Sequence, residues 1–100
     1  MRLTPREIDQ IRRAAARIFG ADVQVYLFGS RTDDTARGGD IDLLIDTPRT
    51  ELMTYDNRIT FLVDVKMAIG DRKLDVLYNK PERQDEPIIA HARKTGIPLQ

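Results

Sequence analysis

The amino-acid sequence predicts an α/β domain in which helices cover a small β-sheet. Segments with apolar residues at helical spacing alternate with short runs rich in β-branched and aromatic residues, and glycine or proline stands at most junctions. The alternation gives the order αβαβαβα and the layered packing that such an order implies.

The first helix starts at Thr4-Pro5-Arg6-Glu7. Thr4 suits the cap, Pro5 the first helical position, and Glu7 closes a capping box. Ile8, Ile11, Ala15, Ile18 and Phe19 then share one face, which should be buried with the arginines toward solvent, and Gly20 is the expected stop. Val23 to Phe28 forms the first strand and runs into Gly29-Ser30, a tight turn into a short helix over about 31–36. Arg37-Gly38-Gly39 is a flexible turn. In the next strand, Asp40 to Asp46, Ile41, Leu43 and Ile45 face one way, and Asp40, Asp42, Leu44 and Asp46 the other. Thr47-Pro48 ends it. A longer helix is expected over 50–69, with Leu52, Tyr55, Ile59, Leu62, Val63 and Met67 buried and Gly70-Asp71 as the stop. Lys73 to Tyr78 is a third strand, with Leu74, Val76 and Tyr78 on one face and Asp75 and Leu77 on the other. A polar loop over 79–87 leads to a last helix over 87–95, stopped by Gly96.

One domain spanning residues 1–100 is the expectation for this length. Hydrophobic residues at 41% and charged residues at 32% suit a soluble globular chain rather than a disordered one. No apolar run is long enough to cross a bilayer, the first residues lack the apolar stretch of a signal peptide, and cysteine is absent. A cytoplasmic protein without disulfides or thiolate metal sites is the expectation. Sixteen basic residues balance sixteen acidic ones, so the overall positive field of a nucleic-acid binder is missing. Charge is locally uneven, with Arg2, Arg6, Arg12, Arg13 and Arg17 at one end and three carboxylates without a base between Asp40 and Asp46.

The strongest chemical signal is Gly29-Ser30 followed by Asp40-Ile41-Asp42. Carboxylates at i and i+2 on a strand point to the same face and repel each other when both are ionised. A hard divalent cation removes that conflict, and Mg²⁺ prefers carboxylate and phosphate oxygens. Asp75 completes a triad if its strand neighbours the second one, either as a ligand of a second ion or as acceptor of a hydroxyl proton. Gly29 allows close approach of a phosphate, Ser30 adds a hydroxyl, and Arg31 a charge-assisted contact. Taken singly, the pieces have plainer readings: Gly-Ser after a strand is an ordinary turn, and Asp-x-Asp often keeps an edge strand soluble. Their placement on adjoining elements favours chemistry.

Phe28-Gly29-Ser30-Arg31 leading to Gly38-Gly39-Asp40-Ile41-Asp42-Leu43-Leu44-Ile45-Asp46 resembles the signature of the DNA polymerase β-like nucleotidyltransferase superfamily, and in particular its minimal prokaryotic members, which are about this length. Asp75 within Leu74-Asp75-Val76-Leu77-Tyr78 matches the third acidic position, and the segment from Pro87 to Leu99 resembles the closing helix and tail. The resemblance covers nearly the whole chain, although only the first motif is specific. It implies a mixed sheet flanked by helices, two Mg²⁺ ions on Asp40 and Asp42 with Asp75 as the third acidic group, and an ATP triphosphate at Gly29, Ser30 and Arg31. It further implies a small helical HEPN-type toxin as partner, neutralised by this chain as antitoxin through transfer of AMP.

Competing expectations follow from the same residues. The domain can act by binding alone, occluding its toxin around a silent nucleotide site. Transfer to a small molecule needs an acceptor pocket from another chain, and transfer to nucleic acid is disfavoured by the charge balance. Asp46 is expected to cap the next turn, Asp33 and Asp34 to be solvated or capping, and His91 to be packed or superficial. Tyr26, Tyr55 and Tyr78 are expected in the core, and Arg72 and Lys73 in a solvated turn.

Overall fold

Helix α1 begins where its capping residues dictate. In a computed structural model it spans Pro5–Phe19, with the Glu7 amide donating to Thr4 Oγ1 at 3.1 Å and the Thr4 amide donating to Glu7 Oε1 at 2.9 Å. Two donors that the helix itself cannot satisfy are thus paired reciprocally. The structure describes residues 3–28, 41–70, 73–80, 86–87 and 96–99. The expected short helix over 31–36, the turn at 37–39 and almost all of the expected last helix fall outside the described residues.

Four strands form one mixed sheet in the order β3-β2-β1-β4: β1 is Gln24–Phe28, β2 Ile41–Asp46, β3 Leu74–Tyr78 and β4 Ile97–Pro98. β1 pairs antiparallel with both β2 and β4, and β2 pairs parallel with β3. Parallel neighbours need a crossover. Here it is a 3-10 turn at Thr50–Leu52 followed by helix α2, Tyr55–Ile69. The predicted sheet with helices is therefore present, with β4 as an addition. The tail after Gly96 is a short strand against β1, held by the Leu99 amide donating to the Val25 carbonyl at 2.8 Å.

The sequence expectation of one helix over 50–69 meets a break at Met53-Thr54. Thr54 is extended (φ −111°, ψ 164°) and caps α2 by accepting from the Asn57 amide, while Asn57 Nδ2 donates to the Leu52 carbonyl at 2.8 Å. A threonine that satisfies a free helical N–H favours a new start over continuation.

Both described helices lie on one face of the sheet. Ile11, Ala14, Ala15 and Phe19 of α1 and Phe61 and Val65 of α2 pack with Val25, Leu27, Leu43, Ile45 and Val76 in one core. Phe19 sits at the centre, edge-to-face with Phe61 and Tyr78, each ring centroid 5.7 Å away. Such pairs add about 0.5–1.5 kcal/mol beyond their burial. The α1 stripe lies as the sequence predicts. The α2 stripe does not: Phe61 and Val65 face the core, and Tyr55, Ile59, Val63 and Met67 face solvent. Leu52 and Leu62 pack at the margin of the core.

Candidate active site

The sheet's second face carries the described acidic candidates. On β2 the side chains alternate as the sequence predicts: Ile41, Leu43 and Ile45 belong to the helix-side core, which leaves Asp42, Leu44 and Asp46 on the opposite face. On β3 the same alternation puts Leu74, Val76 and Tyr78 in that core and turns Asp75 and Leu77 away from it.

Parallel register makes Asp42 and Asp75 direct partners. Neighbouring strands lie about 4.8 Å apart, so the two carboxylates project from adjacent points on one face. The condition on Asp75, that its strand neighbour the second one, is met. The Ile41 amide donates to the Lys73 carbonyl at 2.9 Å, which fixes the start of β2 to the start of β3 immediately beside this pair. On the other side, antiparallel register places Phe28 opposite Asp42. Phe28 is the last residue of β1, so the end of that strand stands next to Asp42.

The surroundings are apolar. Phe28 and Leu44 are buried, with Tyr26 and Leu77 packed against them. Asp42 is half-buried in this setting and Asp75 is exposed. A carboxylate flanked by apolar side chains interacts more strongly with a cation than one in bulk water, because less solvent screens the charge. Two anionic oxygen donors side by side fit a hard divalent ion in kind. Gly29, Ser30, Arg31 and Asp40, the remaining predicted site residues, lie outside the described residues, as do Asp33, Asp34, Arg72 and His91. Among the described residues no group of three or more His, Cys, Asp or Glu side chains forms a metal site.

Other expected roles separate from this site. Asp46 shares the face but lies four residues along β2 from Asp42, about 13 Å at strand rise. The turn after β2 is organised by Thr47, whose buried hydroxyl donates to the Phe19 carbonyl at 3.0 Å and accepts from the Arg49 amide at 3.2 Å. That is the part the sequence assigned to Asp46. Tyr78 is a core residue as expected, and its hydroxyl donates to the Thr54 carbonyl at 2.7 Å. Tyr26 is half-buried, whereas Tyr55 is solvent-facing and not in the core. Lys73 is exposed. Arg58 was not singled out by sequence. It spans from α2 to β3, its Nε donating to the Val76 carbonyl at 2.9 Å. No described helix is long and apolar enough to cross a membrane.

A family model described as a nucleotidyltransferase domain matches residues 8–95. The matched span includes Gly29-Ser30, Asp40-Ile41-Asp42 and Asp75. No match to a curated protein was found.

Proposed function

Because the chain belongs to the nucleotidyltransferase domain family, we propose that the group it transfers is AMP, taken from ATP, and that the acceptor is a protein. The observation that carries the chemistry is the register pairing of Asp42 with Asp75 beside the end of β1. In this reading Asp40 and Asp42 hold Mg²⁺, Gly29, Ser30 and Arg31 hold the triphosphate, and of the two roles open to Asp75 it takes that of proton acceptor rather than metal ligand. Bound Mg²⁺ supplies electrophilic polarisation of the phosphates and neutralises their charge. An acceptor hydroxyl oxygen attacks the α-phosphorus, the bond from that phosphorus to the α–β bridging oxygen breaks, and pyrophosphate leaves. The hydroxyl proton passes to Asp75, the more exposed carboxylate of the pair.

A protein acceptor accords with the resemblance of the Gly29-Ser30 and Asp40-Ile41-Asp42 motifs to the minimal nucleotidyltransferases. The proposed partner is a small helical HEPN-type toxin, which this chain disarms as antitoxin. This biological role rests on the resemblance of the Gly-Ser and Asp-Ile-Asp motifs.

The test is transfer of label from ATP labelled at the α-phosphate, in Mg²⁺, to protein that copurifies with the chain. Wild type is expected to label the partner, and Asp42→Asn and Asp75→Asn to reduce labelling at least about 100-fold. A stable complex that takes no label would replace this reading with an antitoxin that works by occlusion alone.

A further inference from the structure

Helix α2 has apolar residues on both its faces. Phe61 and Val65 are fully buried against the sheet, while Tyr55, Ile59, Val63 and Met67 are 73%, 38%, 52% and 83% exposed. These four stand at i, i+4, i+8 and i+12 and make one continuous ridge along the helix. Isolated exposed apolar residues are ordinary, but a contiguous ridge of large ones marks a surface that another surface covers.

The ridge is symmetric in its own sequence. Position 61 is midway between 55 and 67, between 59 and 63, and between 56 and 66. Two α2 helices laid antiparallel about that midpoint set Tyr55 level with Met67, Ile59 level with Val63, and Asp56 level with Lys66 of the second helix. At 100° per residue, Asp56 and Lys66 flank the centre of the ridge by equal angles on opposite sides. In an antiparallel pair crossing at about 20°, as helical bundles do, each Asp56 then lies across the seam from a Lys66. Within one chain the two are ten residues apart, about 15 Å along the axis, too far to pair. The other charged groups of α2 near the core are already engaged inside the molecule: Asp64 with Arg17 at 2.6 Å and Arg58 with the Val76 carbonyl.

We propose that this ridge docks a second copy of the chain, forming a two-fold antiparallel α2–α2 dimer with an apolar centre and two Asp56–Lys66 pairs. An interface that matches itself when turned end for end is what an isologous contact requires. Both helices stand on the sheet face opposite Asp42 and Asp75, so the dimer leaves the carboxylate face open. One helix pair is a small interface, which places the association in the micromolar range rather than the nanomolar.

Sedimentation equilibrium of the full chain between about 1 and 300 μM tests this. The expected result is a rise from the 11.4 kDa monomer mass to twice that value, with Val63→Glu weakening the association at least tenfold. Asp56→Lys and Lys66→Asp are each expected to weaken it several-fold, since each homodimer sets like charges across the seam. An equimolar mixture of these two variants is expected to regain association, because both cross-seam pairs are then opposite in charge. Far-UV circular dichroism of each variant confirms that α2 remains folded. A wild-type chain that stays monomeric throughout overturns the proposal and assigns the ridge to a different protein. Dimerisation that ignores Val63→Glu, or singles that do not recover on mixing, overturns it equally.

Discussion

Tyr78 shows how a single buried residue ties the molecule to pH. Burial among Phe19 and the α2 start pushes its phenol from the ordinary 10.0 up to about 12, an effect that the nearby Arg58 guanidinium only partly offsets. The folded chain therefore holds this proton more tightly than the unfolded chain does. The resulting stability is complete below pH 10 and is lost as pH rises through about 12. Thermal unfolding is expected to fall more steeply between those values in wild type than in Tyr78→Phe, which has no proton to lose. At neutral pH the same substitution removes the hydrogen bond to the Thr54 carbonyl, and urea titration should show a loss of about 1 kcal/mol. Among the acidic residues the sequence made the site types legible, since Asp-Ile-Asp and a later Asp on a strand are visible as text. That Asp75 stands directly opposite Asp42 was not legible, because strand adjacency is set by the α2 crossover and not by any local signal.

At the level of elements, both helices end in the same way. Gly20 and Gly70 follow α1 and α2 with φ of 99° and 104° and ψ of 158° and 175°, and each amide donates back to a carbonyl four residues earlier. This region of backbone space is essentially closed to residues with a Cβ, at a cost of about 1–3 kcal/mol. Gly70→Ala meets nothing within 4 Å and should lose that amount alone in urea unfolding. Gly20→Ala also brings a Cβ to 2.9 Å from Cδ of Arg49. That flexible side chain can swing aside, so the added loss should be small and should vanish in an Arg49→Ala background. The glycines were readable as stops for this reason. The facing of α2 was not readable, and the reason lies in its composition. In α1 the apolar residues occupy one side and arginines the other, so the periodicity has a single phase. In α2, Tyr55, Ile59, Val63 and Met67 offer one stripe and Phe61 and Val65 another, and spacing alone selects the longer. The sheet selected the other. Strand β4 escaped notice because two residues, one of them proline, carry no alternation.

For the molecule as a whole, the sheet divides labour. One face holds the core that stabilises the fold, and the other holds the paired carboxylates with a smaller apolar cluster. A ligand that binds only the folded chain must raise its melting temperature. ATP with Mg²⁺ at ten times its Kd contributes about 1.4 kcal/mol, which for a domain of this length corresponds to about 6–11 °C in a thermal melt. Asp42→Asn is expected to abolish the shift, measured for each protein against its own ligand-free melt. A shift that persists in Asp42→Asn would place the nucleotide elsewhere.

The position of β2 has one more consequence. β1, which leads into Gly29-Ser30, and β3, which carries Asp75, do not pair with each other within the sheet; β2 lies between them and is the strand against which both are aligned. A slip of β2 by one residue against either neighbour would send Asp42 into the apolar core and Leu43 out to the solvent side. There is thus no half-aligned form in which the acidic pair survives beside a misplaced β1. Enzymatic turnover by this chain would serve as a gauge of folding fidelity, reporting that two separate strand alignments, one antiparallel and one closed through a long crossover, are both correct in the same molecule.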